Sequence, residues 1–437
     1  MEFTKSLKPL YTLCLTRAFI ISPLGVRGME QQQLIPHLFR TEYRKVVSVL
    51  CKRFGFEQME IAEDIASETF AIAAQTWALN GTPKNPTAWL YHVAKNKAKN
   101  YLQHESLFKS KISHELKKTS QEILENEIDL SLANIYDSQL QMMFAICHPS
   151  ISVEAQIGLS LRILCGFGIE EIADAFLTNK ETINKRLFRA KEKLRDEKIR
   201  IEMPQPAEIN ERLETVLRTI YLLFSEGYYS ISQDQTLRKE LSFEAIRLCE
   251  MLIENEATNK PEVNALLALM YFHASRFEAR INKNGELVLY DDQDSNLWNM
   301  EFIGKGAYFL HRATTGKQLS KYHIEAAIAY WNTQKTDSQE KWENILQLYN
   351  RLLQLEYSPM AALNRTYALA KANGKQEAIA EAEKLKLTDN HFYFMLLGEL
   401  YTGVDTEKAK QHFQKALALA KTNTDRQSIR ERLTSFG

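Results

Sequence analysis

The scarcity of helix-breaking residues is the feature that most narrows what this chain can fold into. It has only 16 glycines and 10 prolines in 437 residues. From Leu34 onward, apolar residues recur at three- and four-residue spacing, and no convincing run alternates between apolar and polar as a strand does. This pattern predicts an all-α fold. Because the length exceeds that of one ordinary core, we expect about two to four domains.

Two segments divide the helical pattern. Residues 104–121 are polar and rich in charge, and residues 202–207 contain two prolines that block helix continuation. These breaks predict four parts, given by residue number: a first helical domain at 30–105, a linker at 106–135, a second domain at 136–200 and a C-terminal helical domain at 201–437.

The first 29 residues are expected to be a tail outside these domains. An apolar run at residues 10–26 follows two lysines as in a signal peptide, but Arg17 interrupts it and no small-residue cleavage site follows. Secretion is therefore disfavoured. Met29 is an alternative start of translation, in which case residues 1–28 would not be native.

The cysteines and the overall charge exclude several classes of protein. The five cysteines are scattered and lack the C-x-x-C spacing of a zinc or redox site, which fits a reducing cytoplasm. The formal net charge is zero, so only local concentrations of positive charge can indicate nucleic acid. There is also no H-E-x-x-H, no phosphate-cradling glycine loop and no nucleophile elbow. We therefore expect no metal, no cofactor and no catalytic activity.

An acidic amphipathic helix is predicted at residues 59–77. Its apolar residues share one face, whereas Glu63, Asp64 and Glu68 lie on another. Residues 57–68 contain five acidic and no basic residues. A helix of this kind is by itself most often a solvated surface, so its neighbours decide its function.

A basic and aromatic helix is predicted directly after it. Residues 79–86 have the turn chemistry of a loop, and a new helix follows at 87–102. Between Lys84 and Lys118 there are eight lysines and two glutamates. Cations neutralise phosphates and aromatic rings stack on bases, so the segment is predicted to bind single-stranded or melted DNA through side chains of this kind: Trp89, Tyr91, Lys95, Lys97, Lys99 and Tyr101.

A helix-turn-helix is predicted within residues 159–195. Gly166 and Gly168 end one helix, a short helix covers 169–176, and Thr178 with Asn179 supplies the turn before a third. From residue 180 to residue 200, nine basic residues face four acidic ones. A solvated basic helix would have the same charge, but its coincidence with this spacing favours a reader of the DNA major groove. The inner contacts are predicted to be Ile172, Ala173, Ile183 and Leu187.

The C-terminal part carries a weak internal repeat. The pattern L-N-x-x-Y at residues 363–367 recurs 34 residues later as L-G-x-x-Y, and the second copy continues with Ala409, Phe413 and Ala416. This is similar to a tetratricopeptide repeat with one residue deleted in its turn. Two ordinary amphipathic hairpins are the alternative, because the first copy has Asn364 at the glycine position.

A polar cluster is also predicted in the C-terminal part. Carboxylates and guanidinium groups so close in sequence could bind a metal or serve as acid and base, but no companion motif supports catalysis. A structural network or a partner-binding groove is favoured, formed by Arg276, Arg280, Asp292 and Asp294.

The first two motifs together resemble region 2 of extracytoplasmic-function (ECF) sigma factors in the sigma-70 superfamily, through the order of acidic helix, Asn/Pro loop and A-W-L-x-x-x-A-x-N-x-A at residues 88–98. In that family the acidic helix binds RNA polymerase, and the loop with the next helix captures a flipped base of the minus-10 element. The resemblance implies polymerase contact by Glu63, Asp64 and Glu68. It implies minus-10 contact by Asn80, Lys84, Asn85, Trp89, Lys95, Asn96 and Lys99. Ser67 departs from the glutamine that is usual in the family, so that contact is not carried over.

The helix-turn-helix resembles sigma region 4, which reads the minus-35 element, through G-x-x-x-x-E-I-A at residues 166–173 and T-x-x-x-R-x-x-R-A-x-x-x-L at 182–194. The resemblance implies that base edges are approached by Thr182, Asn184, Lys185 and Arg186, and that phosphates are held by Lys180, Arg189 and Lys191. Later segments at 221–228, 244–248, 261–270, 292–294 and 361–365 resemble the ECF group with a tetratricopeptide-like C-terminal extension.

The resemblance implies a bacterial, cytoplasmic sigma factor without enzymatic activity, regulated in cis by its C-terminal domain. Its partners would be core RNA polymerase, promoter DNA and a regulatory protein on the C-terminal domain, with no membrane. A helix-turn-helix regulator that acts without polymerase is the alternative, but it leaves the region 2 pattern unexplained. An enzyme in the C-terminal half would leave both DNA-binding motifs unexplained.

Overall fold

A computed structural model of the protein describes residues 31–112, 128–176, 178–229, 235–280, 288, 290–316, 318–420, 423–434 and 436. Within these ranges every regular element is a helix, which confirms the predicted all-α fold. The expected tail at residues 1–29 and the middle of the expected linker, residues 113–127, lie outside the described residues. In the part that is described, no helix is both long enough and apolar enough to cross a membrane.

The chain divides into two compact units, one within residues 18–258 and the other within residues 259–437. The described helices of the first unit are α1 Gln31–Phe54, α2 Met59–Asn80, α3 Pro86–Ile112, α4 Leu132–Ile146, α5 Val153–Leu159, α6 Ile169–Ala175, α7 Lys180–Asp196, α8 Ile209–Tyr229 and α9 Gln235–Glu254. Those of the second unit are α10 Pro261–Ala274, α11 Met300–Ala313, α12 Lys321–Trp331, α13 Gln339–Leu355, α14 Pro359–Asn373, α15 Lys375–Leu385, α16 His391–Tyr401, α17 Thr406–Leu419 and α18 Asn423–Thr434.

Helix α1 forms the centre of the first unit. It packs against α2, α3 and α4, and its Tyr43, Val46 and Leu50 are fully buried at the three- and four-residue spacing of one helix face. The rings of Phe39 and Phe70 meet edge to face at 5.1 Å, which joins α1 to α2. Burial raises the pKa of the Tyr43 hydroxyl to about 12, so this group stays neutral in the core.

The helix-turn-helix consists of α6 and α7. The predicted inner contacts Ile172, Ala173, Ile183 and Leu187 are all buried, as expected. Asn179 caps α7, because its side-chain oxygen accepts a hydrogen bond of 2.8 Å from the Thr182 amide. Helix α5 continues as a π-helical turn, Ser160–Leu164, and the chain leaves it through Gly166, whose positive φ of 77° suits a residue without a Cβ.

Helices α8 and α9 follow the proline-containing segment and belong to the same compact unit as the helices before it. The Arg44 guanidinium of α1 lies 2.5 Å from the Glu244 carboxylate of α9, and Arg247 donates to the Leu164 carbonyl at 2.7 Å. Burial opposes the ionisation of Glu244, but the guanidinium groups of Arg247 and Arg44 hold its pKa below the usual value. The buried carboxylate is therefore charged, and it joins α9 to α1 through Arg44.

The second unit is built around α10. Apolar residues surround this helix on all sides, and all of Ala265, Leu266, Leu267 and Ala268 are fully buried. Helices α11 and α12 pack on it, and from α13 to α18 each helix packs on the next around a shared apolar core.

Gly398 allows close packing of α16 and α17. A Cβ atom at this position would come within 2.8 Å of the Phe413 ring, which is closer than real Cβ atoms approach. The second copy of the sequence repeat thus forms a tight helical hairpin, with Ala409 and Ala416 fully buried on the facing helix.

We expect Gly398→Val to lower the free energy of unfolding of the second unit by about 1 to 3 kcal/mol, as overpacking of a tight core does. Denaturant unfolding measures this change. In a Phe413→Leu background the valine side chain at position 398 has more room, so Gly398→Val should cost less. An equal cost in both backgrounds would contradict the packing explanation.

Candidate functional site

The predicted acidic helix is α2, and its carboxylates do not share one environment. Asp64 and Glu68 are exposed, and Glu68 lies 2.6 Å from the Lys97 ammonium of α3. The Glu63 side chain is only 13% exposed, because it lies 3.2 Å from Arg162 Nε and 2.5 Å from Lys191 Nζ. Of the three residues predicted to contact polymerase, two are therefore open to a partner in this state and one is held by the helix-turn-helix region.

The loop between α2 and α3 presents polar groups at the surface. Asn80 ends α2, and Gly81 closes it with a positive φ of 79° while its amide donates to the Trp77 carbonyl. Asn85 caps α3, since its Oδ1 accepts a hydrogen bond of 3.0 Å from the Ala88 amide. Asn80, Lys84 and Asn85 are all exposed.

Helix α3 carries the remaining residues predicted to contact the minus-10 element. The Trp89 ring is half-buried and meets the buried Trp77 ring edge to face at 5.4 Å, so α2 fixes its position. Asn96 lies one turn after His92 with their side-chain nitrogens 2.9 Å apart. Lys95 is half-buried and Lys99 is exposed.

Helix α7 presents a basic face to solvent. An open groove of about 510 Å³ lies between this face and the start of α5. We call the residues that α7 exposes there the basic face of α7: Thr182, Lys185, Arg186, Arg189 and Lys193. The residues at 185, 189 and 193 share it because they are four positions apart. That same spacing could have identified Lys193, which the motif did not include.

The other predicted residues of α7 lie outside this groove. Asn184 is exposed on the first turns, and Lys180 forms an ion pair with Glu170 of α6. Lys191 is on a different side of the helix, where its Nζ contacts Glu63. Arg186, which does line the groove, also lies beside the end of α6, with its guanidinium 5.6 Å from the Phe176 ring.

The four residues of the predicted polar cluster in the second unit make separate contacts. Arg276 lies over the Tyr290 ring at 5.2 Å, and Lys341, which sequence reasoning missed, lies over the same ring at the same distance. Asp292 is 3.7 Å from Arg432 of α18.

Asp294 and Arg280 make local contacts. Asp294 caps the short 3-10 helix Ser295–Leu297 by accepting from the Asn296 amide at 2.9 Å, and the Arg280 carbonyl accepts from the Val288 amide at 2.7 Å. Among the residues that the structure describes, no group of three or more His, Cys, Asp or Glu side chains could hold a metal ion.

Residues 38–107, which form α1, α2 and most of α3, match the family model of sigma-70 region 2. This part of the chain is therefore a sigma-70 region 2 by its similarity, which supports membership of the sigma-70 family. Proteins of this family are transcription factors without enzymatic activity of their own, and their region 2 indicates binding to RNA polymerase.

Two further similarities concern the rest of the chain. Residues 212–314 match a family of unknown function, DUF6596. A protein of Rhizobium meliloti (strain 1021), named Uncharacterized protein R00370, is 31% identical over 386 residues, which cover 86% of this chain and 90% of that protein. The chain belongs to one family with this protein.

Proposed function

We propose that the protein is a sigma factor of the ECF group that binds core RNA polymerase in the cytoplasm and directs it to promoters. The observation that carries the proposal is that one compact unit contains a sigma-70 region 2 and a helix-turn-helix with an exposed basic face. A sigma-70 region 2 supports recruitment of polymerase, and a basic helix-turn-helix supports reading of duplex DNA.

The polymerase contact is assigned to the acidic face of α2. Asp64 and Glu68 are one turn apart and exposed, so both carboxylates can meet a basic surface of the polymerase. Glu63 would join them once its contacts with Arg162 and Lys191 are released.

The minus-10 contact is assigned to the loop and the first turns of α3. Exposed Asn80, Lys84 and Asn85 border Trp89, whose ring is held by Trp77 and offers a stacking surface. Lys95, Asn96 and Lys99 follow along the same helix and would hold phosphates or base edges. Fixed aromatic groups beside cations are the chemistry that unpaired bases require.

The minus-35 contact is assigned to α7. Lys185, Arg186 and Arg189 line an open groove and can reach base edges and phosphates, with Thr182 and Asn184 at the start of the helix. Lys193 extends this surface by one turn.

The C-terminal domain is assigned a regulatory role in cis. Tight hairpins such as α16 and α17 support a tetratricopeptide-like arrangement, whose surfaces commonly bind other proteins. The contacts of α9 with Arg44 of α1 and with the Leu164 carbonyl of the π-helical turn support this role.

Transcription with purified core polymerase tests the proposal. The protein should direct initiation from its own promoters and depend on both elements. A helix-turn-helix regulator without polymerase contact would bind the same DNA but would not support initiation with core enzyme alone.

We expect Asp64→Lys together with Glu68→Lys to weaken binding to core polymerase by about tenfold or more, because reversed charges in a complementary interface cost several kcal/mol. Both residues are exposed, so the fold should be retained. A pull-down or fluorescence titration with core enzyme measures the change.

Glu340→Lys with Glu343→Lys is a matched control, because it makes the same change of charge on the exposed surface of α13. The control should bind polymerase normally. If the α2 variant also binds normally, the polymerase contact lies elsewhere.

A further inference from the structure

A buried arginine follows the end of α10 without a full set of hydrogen-bond partners. Arg276 is only 9% exposed, and its guanidinium lies 5.2 Å from the centre of the Tyr290 ring. Its Nη1 atom is buried and, within the described ranges, has no hydrogen-bond partner. A guanidinium stays charged in proteins, and a buried charge is strongly disfavoured unless it is paired. The aromatic ring attracts the cation but supplies no hydrogen-bond oxygen.

A second buried cation lies at the same ring. Lys341 is 2% exposed, and its Nζ donates to the Tyr290 hydroxyl at 2.9 Å and to the Gln334 carbonyl at 3.0 Å. The Tyr290 hydroxyl in turn donates to the Asn332 carbonyl at 3.1 Å. The oxygens that accept from the ammonium are neutral. Tyr290 therefore brings together two positive charges from segments that are distant in sequence.

The imidazole of His273 shows that this part of the second unit is electropositive. Burial, and after it the charges of Arg276 and Arg280, hold the pKa of His273 well below its usual value. The imidazole is therefore neutral at physiological pH, and the guanidinium charges reach into the interior of the unit. An anion is attracted to such a place, because fixed charges act more strongly where water is excluded.

The segments around Tyr290 hold three more buried polar atoms without a hydrogen-bond partner in the described part of the chain: Gln293 Oε1, Trp298 Nε1 and Trp331 Nε1. The Asn299 amide donates to the Ser275 carbonyl at 2.7 Å, which brings residue 298 to the end of α10. The Gln293 amide donates to the Tyr290 carbonyl at 3.3 Å, and residue 331 precedes the carbonyl that holds the Tyr290 hydroxyl. Two unpaired donors and one unpaired acceptor thus accompany the guanidinium.

This set of donors and acceptor fits a phosphate group. The N–H groups come from three separate segments, which suits a tetrahedral anion, and arginine binds phosphate through charge-assisted hydrogen bonds. The second pKa of a phosphate ester is about 6, so part of the population carries a proton near that pH. Its O–H can donate to Gln293 Oε1, whereas an ionised carboxylate has no proton to donate.

We propose that the second unit binds a phosphate group at Arg276, between the end of α10 and the segment with Tyr290 and Trp298. The group belongs to inorganic phosphate or to a small phosphate monoester. Arg276 provides the charge-assisted hydrogen bonds, the two indole N–H groups complete the donors, and Gln293 accepts from the protonated oxygen. The site lies wholly within the second unit, so it is independent of the proposed function.

Calorimetric titration of the full chain, at about pH 6 and constant ionic strength, tests the proposal with inorganic phosphate and with glycerol 3-phosphate. We expect saturable binding, and the tighter of the two ligands identifies the source of the group. Arg276→Met should weaken binding about tenfold or more, because it removes the charged donor. Sulfate has the same shape but no proton, so it should bind about fivefold more weakly or worse.

Arg351→Met is the matched control, because it removes an exposed arginine from α13 of the same unit. It should bind phosphate as the natural chain does. The basic face of α7 also attracts anions, so binding at the proposed site must persist when Lys185 and Arg186 are both replaced by alanine. If Arg276→Met unfolds the unit, Trp298→Phe replaces it, since this change removes one N–H and keeps an aromatic ring.

Three results would overturn the proposal. The first is the absence of saturable binding of either phosphate compound by the natural chain. The second is unchanged binding in the folded variants Arg276→Met or Trp298→Phe, which would place the anion elsewhere. The third is equal affinity for sulfate and phosphate, which would remove Gln293 from the site and with it the choice of phosphate.

Discussion

Promoter-specific transcription is expected to fall about 30-fold or more when Lys185 and Arg186 are both replaced by alanine. Both side chains line the groove on the basic face of α7. Loss of a base or phosphate contact costs about 1 to 3 kcal/mol, so two losses amount to at least about 2 kcal/mol. The buried side of the helix, with Ile183 and Leu187, is not altered, so the module should remain folded.

Transcription with purified core polymerase measures this effect on promoters with an intact or a scrambled minus-35 element. Core binding should persist, because the basic face of α7 is distinct from the acidic face of α2. Lys384→Ala with Lys408→Ala removes two exposed lysines from the second unit and serves as the control. Retention of full minus-35 dependence by the α7 variant would refute the assignment of this face.

The helices were predictable because their signals are local. The turn residues at 79–86 predicted a break between α2 and α3. In the structure α2 runs on to Asn80 and α3 begins at Pro86. Proline is favourable in the first turn of a helix, where its missing amide hydrogen has no partner to lose. The sequence had placed the start of α3 one residue later, so only the boundary differed.

The environment of the acidic face was not predictable, because it depends on contacts between distant residues. Glu63 and Asp64 are neighbours in sequence and equivalent by charge, yet one is held by α7 and the other is exposed. The pair of Glu63 and Lys191 spans 128 residues. No local spacing records such a contact, and the same holds for Lys191 itself, which the motif grouped with the residues that hold phosphates.

The burial of the apolar helices after residue 206 was predictable, but their partners were not. Leu223 and Phe224 of α8 are buried, as an apolar run must be. The sequence could not show that polar side chains of α8 also bind the preceding helices through hydrogen bonds. The Thr219 hydroxyl donates to the Gln156 side chain at 3.0 Å, and Arg212 donates to the Phe144 carbonyl.

Truncation after Pro206 is expected to expose apolar surface and to reduce transcription, whereas truncation after Thr258 should preserve the first unit. The shorter chain loses α8 and α9, and with them the Glu244 partner of Arg44 and the buried side chains of Leu223 and Phe224. Burial of one such apolar side chain contributes about 1.5 to 3 kcal/mol, so these losses are a large part of the roughly 5 to 15 kcal/mol that stabilises a typical domain. The longer chain keeps every helix of the compact unit.

Thermal unfolding and binding of a hydrophobic dye compare the two truncated chains, and transcription with core polymerase gives the functional readout. In the 1–258 chain Arg44→Leu should destabilise, since Glu244 then loses one of its two cations. In the 1–206 chain the same substitution should cost less, because Glu244 is already absent. A 1–206 chain that unfolds cooperatively and transcribes as well as the full protein would show that α8 and α9 are not needed to hold the DNA-binding modules together.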